Sequence, residues 1–238
     1  MPPISLDAFL KLSREKNFFA AVIALEESGT PEEVGKAFEE LHLDAYWKRI
    51  DLPLAALLLH AGILFCLGRA KLEVDVALQN KMRSTAKGLA YNLASFTWPG
   101  WDEPEMRPTS DQMAMGLEAA RLNLQLAIEL EKPPERLRDA HWLLGAQMLA
   151  KGDIRNAREE FKMAVSEAAD EHYGLHNGYV LLTGVLLREE GAGVKWDGHM
   201  TGLAAADTEN GKFAHAQLMT AFHVFVSRKN FLGGADKS

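Results

Sequence analysis

The sequence predicts an all-α chain built of antiparallel helical hairpins, and three observations predict it. Ala, Leu, Glu, Lys and Met recur throughout, and all are good helix formers. No run of β-branched residues alternates with polar ones as a half-buried strand requires. Helix start and stop signals mark about eleven helices, most of them joined by short turns.

The signals are local and specific. Thr30-Pro31-Glu32-Glu33 reads as a capping box, in which the Thr oxygen takes an orphan N–H, Pro fills the first helical position and Glu reaches back. Asp51-Leu52-Pro53 opens an apolar helix to about Arg69. Its most apolar stretch, Leu54–Leu67, contains His60. That stretch is shorter than the ~20 residues a bilayer-spanning helix needs, so it reads as a core helix. Thr109-Ser110-Asp111-Gln112 opens another helix, to about Glu131, which Pro133-Pro134 stops while starting the next. Gly152-Asp153 is a tight turn, with Gly as a left-handed cap and Asp as the cap of the following helix. Gly191-Ala192-Gly193 follows a helix and no strand, so it reads as a helix stop in a loop rather than a phosphate-binding turn.

Bulk properties bound the function. At 238 residues the chain suits one large domain or two small ones. It buries roughly 70–75% of its unfolded surface and needs no disulfide or metal to fold. The formal charge of −7, from Lys+Arg 26 and Asp+Glu 33, argues against nucleic acid as a partner. Composition, at 47% hydrophobic and 25% charged, excludes wholesale disorder. A single cysteine, Cys66, excludes an internal disulfide or a Cys-x-x-Cys site. The start, Met1-Pro2-Pro3-Ile4-Ser5-Leu6-Asp7, has no basic segment and meets an acid before any apolar core. The expectation is a soluble, cytoplasmic protein with no membrane partner.

Repeats organise the helices. The segment His141–Ala164 carries Leu144-Gly145, Met148, the Gly152-Asp153 turn, then Ala157, Phe161 and Ala164. Small Gly145 and Ala157 let two antiparallel helices approach, Phe161 and Met148 fill the space beside them, and Ala164 leaves room for the next unit. Fainter copies are Tyr91-Asn92-Leu93-Ala94 with Ala120, Leu124 and Ala127; Thr183-Gly184 and Leu187 with Ala214, Leu218 and Ala221; and Asn17-Phe18 with Ala21, Leu25 and Ser28. Twelve residues separate Gly145 from Ala157, but 26 separate Ala94 from Ala120 and 30 separate Gly184 from Ala214. These two units therefore carry insertions of about 14 and 18 residues, which repeat proteins place in loops.

The pattern resembles the tetratricopeptide repeat (TPR). The resemblance implies a TPR-like solenoid, an α-α superhelix of stacked hairpins with two long inter-helix insertions. It implies one domain over residues 1–232, with the clearest repeat at 138–170, weaker units at 5–31, 85–133 and 175–228, and a disordered tail at 233–238. It also implies a non-catalytic scaffold that binds a protein or peptide segment in a groove lined by first helices, nominating Tyr91, Asn92, Trp142, Leu181 and Arg188, with Ser95 beside them. Tyr91 and Trp142 stand where a carboxylate clamp would carry basic residues, which favours an aromatic-anchored ligand.

Other chemistry is thin. The insertion from Phe96 to Pro108 carries Trp98, Trp101 and three prolines within a short span. It is either a rigid binding loop anchored by its tryptophans or a segment that folds back and plugs a gap between helices. His172 and His176 share a helical face beside Asp170 and Glu171, but no third ligand is placed by sequence. His199, His215 and His223 could approach only through tertiary folding. Cys66 lies in apolar surroundings that make a thiol inert. Glu39-Glu40 and Glu159-Glu160 read as solvated helix faces. No catalytic residue and no cofactor is expected. The alternatives are a small-ligand sensor or enzyme with a pocket under the 98–108 loop, and a homo-oligomer in which a second copy fills the groove or covers the Leu54–Leu67 helix.

Overall fold

Capping chemistry sets the helix starts. In the computed structural model, which describes residues 4–167 and 170–227 (the side chains of residues 170–173 excepted), Thr30 and Glu33 form the expected reciprocal box, and Thr109 with Gln112 forms a second. Asp51 accepts from the Leu54 amide at 2.9 Å. Gly152 adopts φ +86° and ends its helix with paired backbone bonds, Gly152 N–H to the Leu149 carbonyl and Asp153 N–H to the Met148 carbonyl. Asp153 does not cap the next helix as expected: its carboxylate accepts from the Asn156 side-chain amide, at 2.8 Å.

The helices are α1 (Leu6–Glu15), α2 (Phe18–Glu26), α3 (Pro31–Leu43), α4 (Leu52–Leu72), α5 (Val76–Phe96), α6 (Ser110–Glu129), α7 (Pro134–Lys151), α8 (Ile154–Ser166), α9 (Asp170–Leu186), α10 (Ala192–Ala205) and α11 (Glu209–Phe222). Single π turns follow α3 at Asp44–Lys48 and α11 at His223–Ser227, and a 3-10 turn spans Pro99–Trp101. Among the described residues there is no strand. The chain is all-α, with consecutive helices packed together from α1 to α6 and again from α7 to α11.

Two compact units form. The first takes the chain up to Thr97 together with Pro108–Leu130, and the second takes Trp98–Arg107 and the chain from Glu131 onward. In the first unit α5 packs on both α4 and α6, while α3 packs on α4 and α5. Gly62 of α4 makes this approach close: a Cβ there would stand 2.9 Å from Phe38 of α3 and 2.9 Å from Leu89 of α5. Buried polar groups fix the register. Asn123 of α6 donates to the Lys87 carbonyl of α5 at 2.8 Å.

In the second unit α7 and α8 form the tight hairpin read from Gly145 and Ala157. A Cβ on Gly145 would lie 2.8 Å from the Phe161 ring and 3.0 Å from the Ala157 carbonyl. A parallel contact joins α9 and α11, but through Gly178 rather than the expected Gly184: a Cβ on Gly178 would collide with Leu218. The second expected insertion is not a loop. It contains α10, whose Ala192, Trp196 and Met200 recur every four residues, are buried, and so give a stripe that packs on α9 and α11. Gly191, at φ +70°, links α9 to α10, and Gly193 lies inside α10 rather than in a loop. The tail at 233–238 lies outside the described residues.

The Gly145 contact yields a stability prediction. Gly145→Leu should overpack the α7–α8 crossing and lower stability by about 1–3 kcal/mol in chemical denaturation. A midpoint equal to wild type would remove the close approach as a constraint.

Candidate functional site

The first unit carries an apolar groove between α4 and α6. A cavity of about 420 Å³ is lined by His60, Ile63, Leu64 and Leu67 on α4 and by Ala114, Met115, Glu118, Ala119 and Leu122 on α6, with Leu93 of α5 between them. Its geometry follows from the order α4–α5–α6. Both outer helices pack on α5, and the channel lies between them with the buried Leu93 of α5 in its lining. Only His60 and Glu118 bring ionisable groups to the lining, and Glu118 is paired with Arg121.

α4 is unusual for a helix at a surface. It is the one helix among the described residues long and apolar enough to cross a membrane by length and composition, and half of its most apolar window is buried in the fold. The helix runs three residues beyond the expected end at about Arg69. Leu57 and Leu64 are 48% and 59% exposed. The groove was not legible as a site in the sequence. Its one signal was that the Leu54–Leu67 stretch has no polar face, which marks a helix needing cover on every side.

Next to the groove-bearing helices, α5 carries two of the nominated residues, Tyr91 and Asn92, both half-buried. The Asn92 side chain is committed to the fold. Its Nδ2 lies 3.0 Å from Nε2 of His42, whose Nδ1 lies 2.8 Å from the Phe38 carbonyl. A carbonyl only accepts, so Nδ1 carries the imidazole proton and Nε2 accepts from the Asn92 amide. His42 is fully buried, and that burial pushes it down to about 4, opposed in part by the bond to Phe38. Beyond it, Tyr46 stacks on Phe96 at 3.6 Å, with Trp47 edge-on to Tyr46 at 4.8 Å. Trp47 is 63% exposed, and sequence reading did not single it out.

The second unit collects the nominated tryptophans. Trp98 is only 1% exposed, and its indole N–H donates to the Ala146 carbonyl of α7 at 2.9 Å. Around it lie Trp101 at 4.9 Å, Trp142 at 5.5 Å, Phe225 at 6.1 Å and Tyr179 at 6.2 Å between ring centroids. Gly100 is necessary here, because a Cβ would run into the Trp98 ring. Trp142 is itself 6% exposed, so a ligand could reach either ring only by displacing its neighbours. Trp101 and Asp102 are half-buried, and Asp102 has φ +55°. Burial holds the Tyr179 phenol well above its ordinary range, and Gln217 donates to its oxygen at 3.1 Å. Leu181 is half-buried on α9, whereas Arg188 is exposed just beyond its end, at φ +57°. Tyr91 and Asn92 belong to the first unit, and Trp98, Trp101, Trp142, Leu181 and Arg188 to the second.

The remaining candidates go separate ways. The His172 side chain lies outside the described residues, and His176 is buried on α9. His199 meets the Gly174 carbonyl at 2.8 Å through Nε2. Among the described residues no three His, Cys, Asp or Glu gather as a metal site. Cys66 is buried, and that burial, with Glu39 nearby, pushes its thiol up to about 12, so little nucleophilic thiolate forms near neutral pH. Compared with family models, curated proteins and solved structures, the chain matches none.

Two predictions follow from these buried groups. A neutral His42 in the folded state costs nothing above the unfolded value of about 6.5, but as pH falls from there towards 4 the unfolded chain binds a proton that the folded one refuses. Stability should therefore drop by up to about 3 kcal/mol across that window. Denaturant titrations at pH 7 and pH 4 check this, and His42→Gln should flatten the difference. Trp98→Ala removes a buried ring and its hydrogen bond to the Ala146 carbonyl. It should cost about 3–5 kcal/mol, and an unchanged midpoint would show the ring is not part of the core.

Proposed function

We propose that this chain is a non-catalytic, TPR-like scaffold that binds a helical protein or peptide segment, and that the α4–α6 groove of the first unit is its acceptor. The apolar groove is the observation that carries the reading. Its walls are largely aliphatic, and its ionisable groups stand at His60 and Glu118. Helix-in-groove recognition has this chemistry: apolar anchors at i, i+4 and i+7 leave water for a slot between two helices, and a few polar groups set orientation. The TPR-like part of the proposal is supported by the α7–α8 hairpin, where Gly145 and Ala157 admit Phe161. The protein as a binder rather than an enzyme is supported by the inert environment of Cys66 and by the use of Asn92, His42 and Tyr179 in packing hydrogen bonds.

A fluorescein-labelled amphipathic peptide with Leu at i, i+4 and i+7 tests it. Fluorescence anisotropy, with the protein titrated from nanomolar upward, should show saturable binding. Met115→Glu should weaken it by about 30-fold or more, the loss expected for a buried interface anchor. Equal binding by wild type and the variant would move the acceptor elsewhere on the molecule.

A further inference from the structure

The outward face of α4 carries a regularly spaced row of exposed and half-buried residues. Pro53, Leu57, His60 and Leu64 are exposed and Leu67 is half-buried, and these positions follow one another at spacings of four, three, four and three. That is the a/d repeat by which one helix packs into another. It lies along the α4 wall of the groove, because His60, Leu64 and Leu67 belong to both. One surface thus offers a ridge and the slot beside it.

The charges on α4 are arranged end to end. Asp51 caps its start, Arg69 and Lys71 occupy its last turn, and no charged residue lies between them. Placed antiparallel to itself about a point near His60–Ala61, α4 sets Leu57 opposite Leu64 and brings Lys71, which continues the row four residues after Leu67, to the Asp51 end of the second copy. The macrodipoles of the two helices then also oppose, as a favourable antiparallel pair requires. A parallel arrangement would instead bring Lys71 of the two copies together.

We infer that the occupant of the α4–α6 groove is a second copy of this chain, joined across a two-fold axis by antiparallel α4 helices. The inference rests on the groove reading above and names its partner. The ridge of each α4 enters the slot between α4 and α6 of the other copy, so the contact is isologous and closes at two subunits. The resulting core contains α4 and α6 of both copies, four helices in all. It covers the apolar face that a single chain leaves to water.

Sedimentation velocity across about 1–100 μM protein, the range in which a contact of micromolar affinity titrates, should show a monomer–dimer equilibrium. Leu64→Glu should weaken association by about 30-fold or more, with the far-ultraviolet circular dichroism of wild type. Lys71→Glu provides a test that leaves the core untouched: it should weaken the dimer at low salt and approach wild type at high salt. His60→Cys should yield a covalent dimer with a short bismaleimide, whereas Val194→Cys, on an exposed site of α10, should not.

A wild type that stays monomeric throughout the range overturns the inference. If that monomer still binds the labelled peptide, the groove reading stands and only this partner is lost. A monomer that binds neither loses both. Flotation with phosphatidylcholine–phosphatidylglycerol vesicles in place of self-association would assign the α4 face to a membrane surface, also against the inference.

Discussion

Helix axes in this protein come close enough that some positions have no room for a Cβ. Gly62 admits Phe38 and Leu89, Gly145 admits Phe161, and Gly178 admits Leu218. Interiors are packed to the density of organic crystals, so a large side chain can bury itself between helices only where the facing residue is absent or small. Everything else in each unit follows from those contacts. They set the depth at which α5 lies between α4 and α6, and they decide which face of α9 receives α11.

Close approach also places polar groups where they must be satisfied. His42 is buried with both ring nitrogens matched, one to the Phe38 carbonyl and one to the Asn92 amide. Asn123 and Gln217 likewise hold neighbouring helices through the Lys87 carbonyl and the Tyr179 hydroxyl. An apolar interface tolerates sliding by a turn, whereas a buried amide that loses its partner costs about 1–3 kcal/mol, so these bonds fix register. The same logic fixes the Trp98 segment, whose indole is held by the Ala146 carbonyl within a shell of aromatic rings.

α4 stands apart because its outward positions are as apolar as its inward ones. Leu57 and Leu64 face solvent with about half their surface, and the channel to α6 lies beside them. A helix that is hydrophobic all round is ordinarily enclosed. Here α3 and α5 pack against one side of it.

What the sequence determined by itself was local. Thr30 with Glu33, Asp51, Thr109 with Gln112, and Gly152 act through atoms within a few residues, so the helix starts, the α7–α8 turn and the all-α class were legible from spacing alone. The close pairing of Gly145 with Phe161 was legible for the same reason: a two-residue turn leaves the second helix nowhere else to go. Tertiary structure decided the rest. Thr183-Gly184 carried the right residue types, yet Gly178 meets Leu218, because α10 intervenes and no short turn dictates which turn of α9 faces α11. The stretch after Gly191 read as a loop because Gly191-Ala192-Gly193 is a helix-stop pattern and repeat proteins place insertions in loops, and only packing on α9 and α11 makes the stripe of Ala192, Trp196 and Met200 worth burying. The nominated site residues divided between two units because a side chain's accessibility depends on distant neighbours: Asn92 is claimed by His42, fifty residues earlier, and Trp98 by Ala146, forty-eight residues later. The groove was least legible of all, since a channel between α4 and α6 exists only once α5 has set them apart.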